Sequence, residues 1–128
     1  MKDETGRWLS YSDENIRSAR VLLDNDLFNP CLQNVQQAVE KALKAIVVEF
    51  SLTFAKTHNI HELKKILAEQ GHNFEITEDE CDFIDAIYLP SRYPIGSALP
   101  DFEPDKALCR KCIAIAERVI ESARKQLK

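Results

Sequence analysis

The sequence has few of the residues that interrupt regular structure and no long hydrophobic run. Only three of its 128 residues are glycine, and 45% are apolar. This composition excludes collagen-like, low-complexity and disordered classes. No apolar run is longer than five residues, which is far too short to cross a bilayer. The length is right for one globular domain, which we predict to span residues 1–128.

The chain contains four cysteines, too few for a dense disulfide framework. The polar start, Met1 to Thr5, lacks the apolar segment of a signal peptide, so we expect a cytoplasmic protein with no membrane partner. Its cysteines are then expected to be reduced thiols. One C-x-x-C pair, Cys109 and Cys112, is weak evidence for zinc or redox chemistry without a second pair. We predict no metal and no cofactor.

Charge is unevenly distributed along a chain of net charge −4. The negative net charge argues against tight binding to a long nucleic acid. Residues 75–85 hold six acids and no base, whereas residues 106–128 hold seven bases and two acids. Two interpretations are open: ordinary solvated helix faces, or a surface for self-association or a charged partner.

Hydrophobic spacing is helical nearly throughout, and no strand pattern is present. The predicted helices span about 7–25, 30–51, 59–70, 77–90 and 104–127. Their boundaries are set by Asn29-Pro30 as N-cap and first helical residue, Gly71 after a C-terminus, the capping box Thr77 to Glu80, Pro90 as a stop and Pro104 as a start.

The predicted fold is an all-α, up-and-down helical bundle of about five helices, similar to a four-helix bundle. The stretch 90–104 contains four of the five prolines. Because proline restricts the chain, an ordered, extended loop is expected before the last helix. Loops held by a rigid scaffold often carry binding residues, so this loop is a candidate for function.

The second helix has a polar face as well as an apolar one. Glutamine brings both donors and acceptors, so three glutamines close together suit a polar groove or a subunit seam. The other interpretation is a solvated face held by pairs such as Glu40 with Lys44. The residues of this face are Gln33, Gln36, Gln37, Glu40, Lys41 and Lys44.

Two short motifs offer further candidate side chains. His58 and His61 have the spacing of some metal-binding pairs, but no third ligand is near in sequence. Polar contacts at a helix end, or a hydrogen bond to the loop 90–104, are therefore predicted for them. Arg92 and Tyr93 place a guanidinium beside an aromatic ring, which suits a phosphate or a stacked base. Alternatively, Arg92 pairs with Glu40 or another acid and fixes the loop to the bundle.

Five segments occur in an order that is typical of one known family. They are Trp8, the pair Leu22-Leu23, the run Gln36–Ala45, the run Lys56–Leu63 and the run Ser91–Pro94. In this combination the chain resembles, from about residue 8 to 120, the HEPN family (higher eukaryote and prokaryote nucleotide-binding), in its small, stand-alone prokaryotic branch.

The resemblance implies a helical bundle, usually a homodimer, that often pairs with a minimal nucleotidyltransferase in a toxin–antitoxin-like arrangement. Many HEPN proteins are metal-independent ribonucleases, and their signature is an arginine and a histidine separated by four to six residues. None of the seven arginines here has a histidine at that spacing. General acid–base cleavage of RNA therefore lacks its usual proton carrier, which argues against an enzyme.

The leading hypothesis is a non-catalytic HEPN protein that dimerises, binds a nucleotidyltransferase and holds a nucleotide such as ATP or GTP in the shared cleft. The cleft residues would be Arg92 and Tyr93 on the loop side, Gln37, Lys41 and Lys44 on the helix side, and His58 nearby. The alternative is a divergent ribonuclease in which His58 or His61 replaces the missing histidine. A purely structural adaptor is the third hypothesis.

Overall fold

A computed structural model describes residues 1–52, 59–92 and 103–127, with the backbone alone for 88–92. The described residues form five helices and no strand, which confirms the predicted all-α bundle. The helices are α1 (Asp3–Asp24), α2 (Phe28–Glu49), α3 (Ile60–Glu69), α4 (Glu78–Arg92) and α5 (Lys106–Gln126). Within these ranges no helix combines the length and the apolar character that a membrane span needs.

α2 lies at the centre of the molecule and packs against each of the other four helices. Its predicted inward face is buried, and the fully buried members are Leu32, Val35, Val39, Ala42, Leu43 and Ile46. The prediction was wrong for Phe50, which is 42% exposed. α2 ends at Glu49, and Phe50 turns away to stack on the ring of His72, with centroids 4.5 Å apart.

The first three helices end in the same way. The residue after each C-cap has a positive φ, and the following amide donates back to a carbonyl five residues earlier, as in a Schellman motif. These residues are Asp26 (φ 60°), Ser51 (φ 50°) and Gly71 (φ 89°), and the bonds run from Leu27 to Leu22, from Leu52 to Val47 and from His72 to Leu67. The prediction for Gly71 is confirmed.

Two predicted helix starts were shifted by two residues. α2 begins at Phe28, so Pro30 is its third residue and Asn29 does not cap it. Proline is tolerated there because the first four amides of a helix have no intrahelical partner. α5 begins after Pro104, at Lys106, because the Asp105 side chain accepts from the Leu108 amide at 2.8 Å.

The predicted start of α4 is correct, and its predicted end is not. Thr77 and Glu80 form a reciprocal capping box, with both bonds at 3.0 Å. The helix continues through Pro90 to Arg92. Proline blocks the turn that precedes it, but its fixed φ is helical, so two further residues extend the helix near its end. Most of the predicted proline-rich loop, 93–102, lies outside the described residues.

The four cysteines are unpaired and buried in the core. Burial raises the pKa of Cys31 and Cys112 to about 12, and that of Cys81 to about 11. Thiols with such pKa values are protonated at neutral pH and poorly reactive. They therefore act as small apolar side chains between the helices.

Candidate functional site

The seam between α1 and α2 is polar at several points. The two helices are antiparallel, and Ser12, which is buried, donates its hydroxyl to the carbonyl of Ala38 at 2.7 Å. Asn15 donates to Asn34 at 2.9 Å and accepts from the Lys41 ammonium at 2.8 Å. Sequence analysis missed Ser12 and Asn15, although small polar residues within an apolar stripe signal such a seam.

The polar face of α2 is part of this packed region and not a solvated surface. Gln36 is 1% exposed and Glu40 is 2% exposed. The Glu40 carboxylate accepts from Lys44 at 2.9 Å, which confirms the predicted pair, and from the Gln37 amide at 3.4 Å. Gln37 also donates to Gln36 at 2.8 Å. Two of the predicted cleft residues, Gln37 and Lys44, thus converge on one buried carboxylate.

Two lysines of this face lie over aromatic rings of α1. The Lys44 nitrogen is 5.6 Å from the centroid of the Trp8 ring, and the Lys41 nitrogen is 5.8 Å from that of Tyr11. Both lysines are half-buried. The charge of Lys44 is compensated by Glu40. Lys41 has only neutral partners in the described part of the chain, Asn15 and the Tyr11 ring.

His61 makes a polar contact at the start of α3, as predicted. Its Nδ1 lies 2.5 Å from a carboxylate oxygen of Asp82 on α4. That hydrogen bond and the negative charge of Asp82 raise the pKa of His61. Asp85, one turn further along α4, accepts from the amides of Ile60 and His61 at 2.8 and 3.1 Å. Burial raises the pKa of the Asp85 carboxyl, although these two amides oppose the shift.

This anchoring separates His61 from Arg92. Asp82 and Arg92 are ten residues apart on α4, which corresponds to about 15 Å along a helix axis. His61 is fixed beside Asp82, at the opposite end of that helix from Arg92. A general acid–base pair needs groups within hydrogen-bond reach of one reacting centre. The geometry therefore disfavours His61 as the replacement for the missing ribonuclease histidine.

The predicted cleft residues on the loop side are not among those whose side chains the structure describes. His58 and Tyr93 lie outside the described residues, and Arg92 is described by its backbone, as the last residue of α4. The placement of Arg92, Tyr93 and His58 in one cleft with the α2 residues therefore stays a prediction.

The acidic stretch 75–85 is partly neutralised within the molecule. Glu80 forms two hydrogen bonds to the Arg118 guanidinium, at 3.0 and 2.5 Å. Lys111 of α5 lies over the ring of Phe83, 4.7 Å from its centroid. The charge asymmetry thus serves in part to link side chains of α4 and α5. Among the described residues no group of three or more His, Cys, Asp or Glu side chains is arranged to hold a metal ion.

The helical architecture and the sequence agree on one class of protein. The family model of the HEPN domain matches residues 5–126, so the chain belongs to the HEPN family. It is similar to the crystal structure of ST0689, an archaeal HEPN homologue, with 21% identity over 100% of both chains and a TM-score of 0.75. It is also similar to TT1696 from Thermus thermophilus, with 22% identity over 98% of this chain and 99% of the other and a TM-score of 0.79. No curated protein matches the sequence.

Proposed function

We propose that this HEPN protein is a non-catalytic cytoplasmic module that dimerises and binds a minimal nucleotidyltransferase, as half of a toxin–antitoxin-like pair. A nucleotide would occupy the cleft between the two proteins. The proposal of a bound nucleotide rests on the environment of Lys41, at the edge of the α1–α2 seam.

Lys41 is a half-buried cation whose described partners carry no charge. Removing an ammonium from water is costly unless an anion compensates it, and a nucleotide phosphate is such an anion. Gln37, on the preceding turn, donates through its amide nitrogen to Gln36 and Glu40, and its amide oxygen can accept from a base. The Trp8 ring offers an apolar surface for stacking. These groups together match the chemistry of a nucleotide.

Two observations support a role without RNA cleavage. The arginine–histidine signature of HEPN ribonucleases is missing from the sequence. In addition, His61 is held by Asp82 at the far end of α4 from Arg92. The protein therefore has the family scaffold without a described proton carrier near its most suggestive arginine.

The nucleotide proposal predicts that Lys41→Ala weakens binding of ATP or GTP at least tenfold, since loss of one charge-assisted hydrogen bond costs about 1.5 kcal/mol or more. Isothermal titration calorimetry with each nucleotide measures this. Lys65→Ala is the matched control, because it removes the same charge from an exposed position on α3. Equal affinities for the two variants, or no binding at millimolar nucleotide, would contradict the nucleotide part.

The partner proposal is tested by native mass spectrometry of the tagged protein, purified gently from its own host. We expect two copies of the chain with a second protein that peptide sequencing identifies as a nucleotidyltransferase. Arg92→Ala should weaken that complex by more than about 1 kcal/mol without unfolding the bundle. A large loss of melting temperature with unchanged binding would instead assign Arg92 a structural role.

The ribonuclease alternative has its own test. Metal-independent cleavage of RNA by the purified protein, abolished by both Arg92→Ala and His58→Ala, would replace the non-catalytic proposal. Wild-type protein that leaves RNA intact while it binds the nucleotidyltransferase would support it.

A further inference from the structure

Two ion pairs connect α1 with α5 at the surface of the bundle. The Arg20 guanidinium lies 3.1 Å from a carboxylate oxygen of Glu117. The Arg124 guanidinium contacts the Asp13 carboxylate, so the two helices run antiparallel. Seven residues separate the two pairs on each helix, which corresponds to about 10 Å along the helix axis. The ion pairs therefore bound a short stretch of surface between the helices, which we call the α1–α5 groove.

The α1–α5 groove contains one further charged residue on each helix. Arg17 on α1 and Glu121 on α5 each stand four residues after the acid of their helix and three residues before its paired arginine. Both side chains are exposed, and neither forms a hydrogen bond or an ion pair with a described residue. The middle of the groove thus has an uncompensated cation on its α1 side and an uncompensated anion on its α5 side.

The groove is concave at this point. Arg17, Glu121 and the four ion-paired residues line a depression of about 400 Å³. Two apolar side chains complete the lining, those of Ile16 and Ile120, and each is 5% exposed. A volume of this size is typical of sites for small molecules. Because the ion pairs stand at its two ends, a small molecule fits the depression better than a helix of a partner protein.

The charges of the groove select a ligand that carries both signs. Three arginines and three carboxylates line the depression, so its formal net charge is zero. An anion alone would leave Glu121 unmatched, and a cation alone would leave Arg17 unmatched. Guanidinium groups bind carboxylates through two parallel hydrogen bonds, and carboxylates accept readily from ammonium groups. Arg20 uses its Nη2 atom in the ion pair, so its other N–H groups can donate to the same ligand.

We propose that the α1–α5 groove binds a free α-amino acid with an apolar side chain. The α-carboxylate accepts from Arg17, and the α-ammonium donates to Glu121. The side chain of the ligand covers Ile16 and Ile120. Exposed ion pairs contribute little individually, so the expected dissociation constant is in the millimolar range. The groove shares no residue with the site proposed around Lys41, so this inference does not depend on the proposed function.

Titration with L-leucine tests the ligand class, with the amide NMR spectra of isotopically labelled protein as the readout. Isocaproate is leucine without its ammonium group, and isoamylamine is leucine without its carboxylate. We expect leucine to bind about fivefold more tightly than either analogue, because each analogue lacks one of the two ion pairs. Glycine should also bind more weakly than leucine, because it has no side chain to cover the apolar part of the lining.

Two variants test the position of the ligand. Arg17→Gln and Glu121→Gln should each raise the dissociation constant of leucine about fivefold, because each removes one of the two matching charges. Arg17→Gln should not change the affinity for isoamylamine, and Glu121→Gln should not change that for isocaproate. The controls are Arg110→Gln on α5 and Glu69→Gln on α3, which remove the same charges at exposed positions outside the groove.

Three results would overturn the inference. Amide resonances that do not move at millimolar leucine would mean that the groove does not take an amino acid. An analogue that binds as tightly as leucine would mean that one charge is sufficient. Equal leucine affinities of the wild type, Arg17→Gln and Glu121→Gln would place the ligand elsewhere. Circular dichroism of each variant shows that it is folded, which is expected because both side chains are at the surface.

Discussion

At the scale of single residues, two helix ends use a backbone conformation that favours glycine. Asp26 and Ser51 have φ values of 60° and 50° after the C-caps of α1 and α2. Lys2 compensates for the unfavourable conformation of Ser51, since its ammonium donates to the Ser51 hydroxyl and to the Val48 carbonyl, both at 2.8 Å. The Asp26 side chain, among the described residues, forms only an exposed ion pair with Lys106, at 3.3 Å, which contributes little.

Asp26→Gly is therefore expected to stabilise the protein, by about 0.5–1 kcal/mol, because glycine adopts a positive φ without strain. Urea denaturation monitored by circular dichroism measures the change. Asp24→Gly is the matched control: Asp24 is the last residue of α1, where glycine should destabilise by about 0.5–1 kcal/mol. If both variants are destabilised, relief of backbone strain is not the dominant effect at Asp26.

The contact between His61 and Asp82 also belongs to this scale. Asp82 raises the pKa of His61, so the pair stabilises the fold below the ordinary histidine pKa of 6.5 and loses this effect as pH rises through the higher folded value. Asp82→Asn should lower the His61 pKa in an NMR titration. Asp79→Asn, which removes an exposed carboxylate from the same helix, should change it much less. An equal shift in both variants would indicate a general field of the acidic helix and not this contact.

At the scale of helices and their ends, the capping box of α4 is coupled to the packing of α5. Glu80 closes the box with Thr77 and also holds Arg118. The hydrogen bonds from Arg118 and from the Thr77 amide lower the pKa of Glu80 to about 2, against the opposing effect of its burial. One carboxylate thus caps the start of α4 and also connects α4 to α5 through Arg118.

Glu80→Gln is expected to cost about 1 kcal/mol at neutral pH, through the weakened box and the lost ion pair. The sign of the pH dependence follows from the lowered pKa. The advantage of the wild type is complete above pH 4.5, shrinks as pH falls and disappears once the folded-state pKa of about 2 is passed. Guanidinium denaturation across this range measures it.

Glu78→Gln is the control for that experiment. It removes the same charge from the first turn of α4 at an exposed position, so it should cost a few tenths of a kcal/mol, through the helix dipole alone. A difference between wild type and Glu80→Gln that stays constant down to pH 2 would mean that the carboxylate charge does not contribute.

The helix boundaries show which structural features local sequence patterns predict. The capping box at Thr77 and the glycine at Gly71 were predicted correctly, because each depends on hydrogen bonds within a few residues. Pro90 and Pro104 were misplaced as boundaries. Proline restricts its own φ and removes one donor, but whether a helix continues or starts also depends on neighbouring caps such as Asp105 and on packing.

At the scale of the whole molecule, the position of α2 decides between the two interpretations of its polar face that the sequence left open. A helix that packs on four neighbours has little surface left for water. Gln36 and Glu40 are polar by sequence and buried by packing. Their burial is tolerated because Gln37 and Lys44 supply hydrogen bonds and charge. The spacing of residues in the sequence predicts which side chains share a face of α2, but not which other helices cover that face.

The sequence by itself determined the helical class, the approximate helix positions and the family, because hydrophobic spacing, local caps and motif order are properties of neighbouring residues. The tertiary structure alone decided which polar side chains share a site. It joined Gln37 and Lys44 through Glu40, placed Lys41 beside Asn15 and held His61 against Asp82. These contacts depend on how helices distant in sequence are packed, and local patterns do not encode that arrangement.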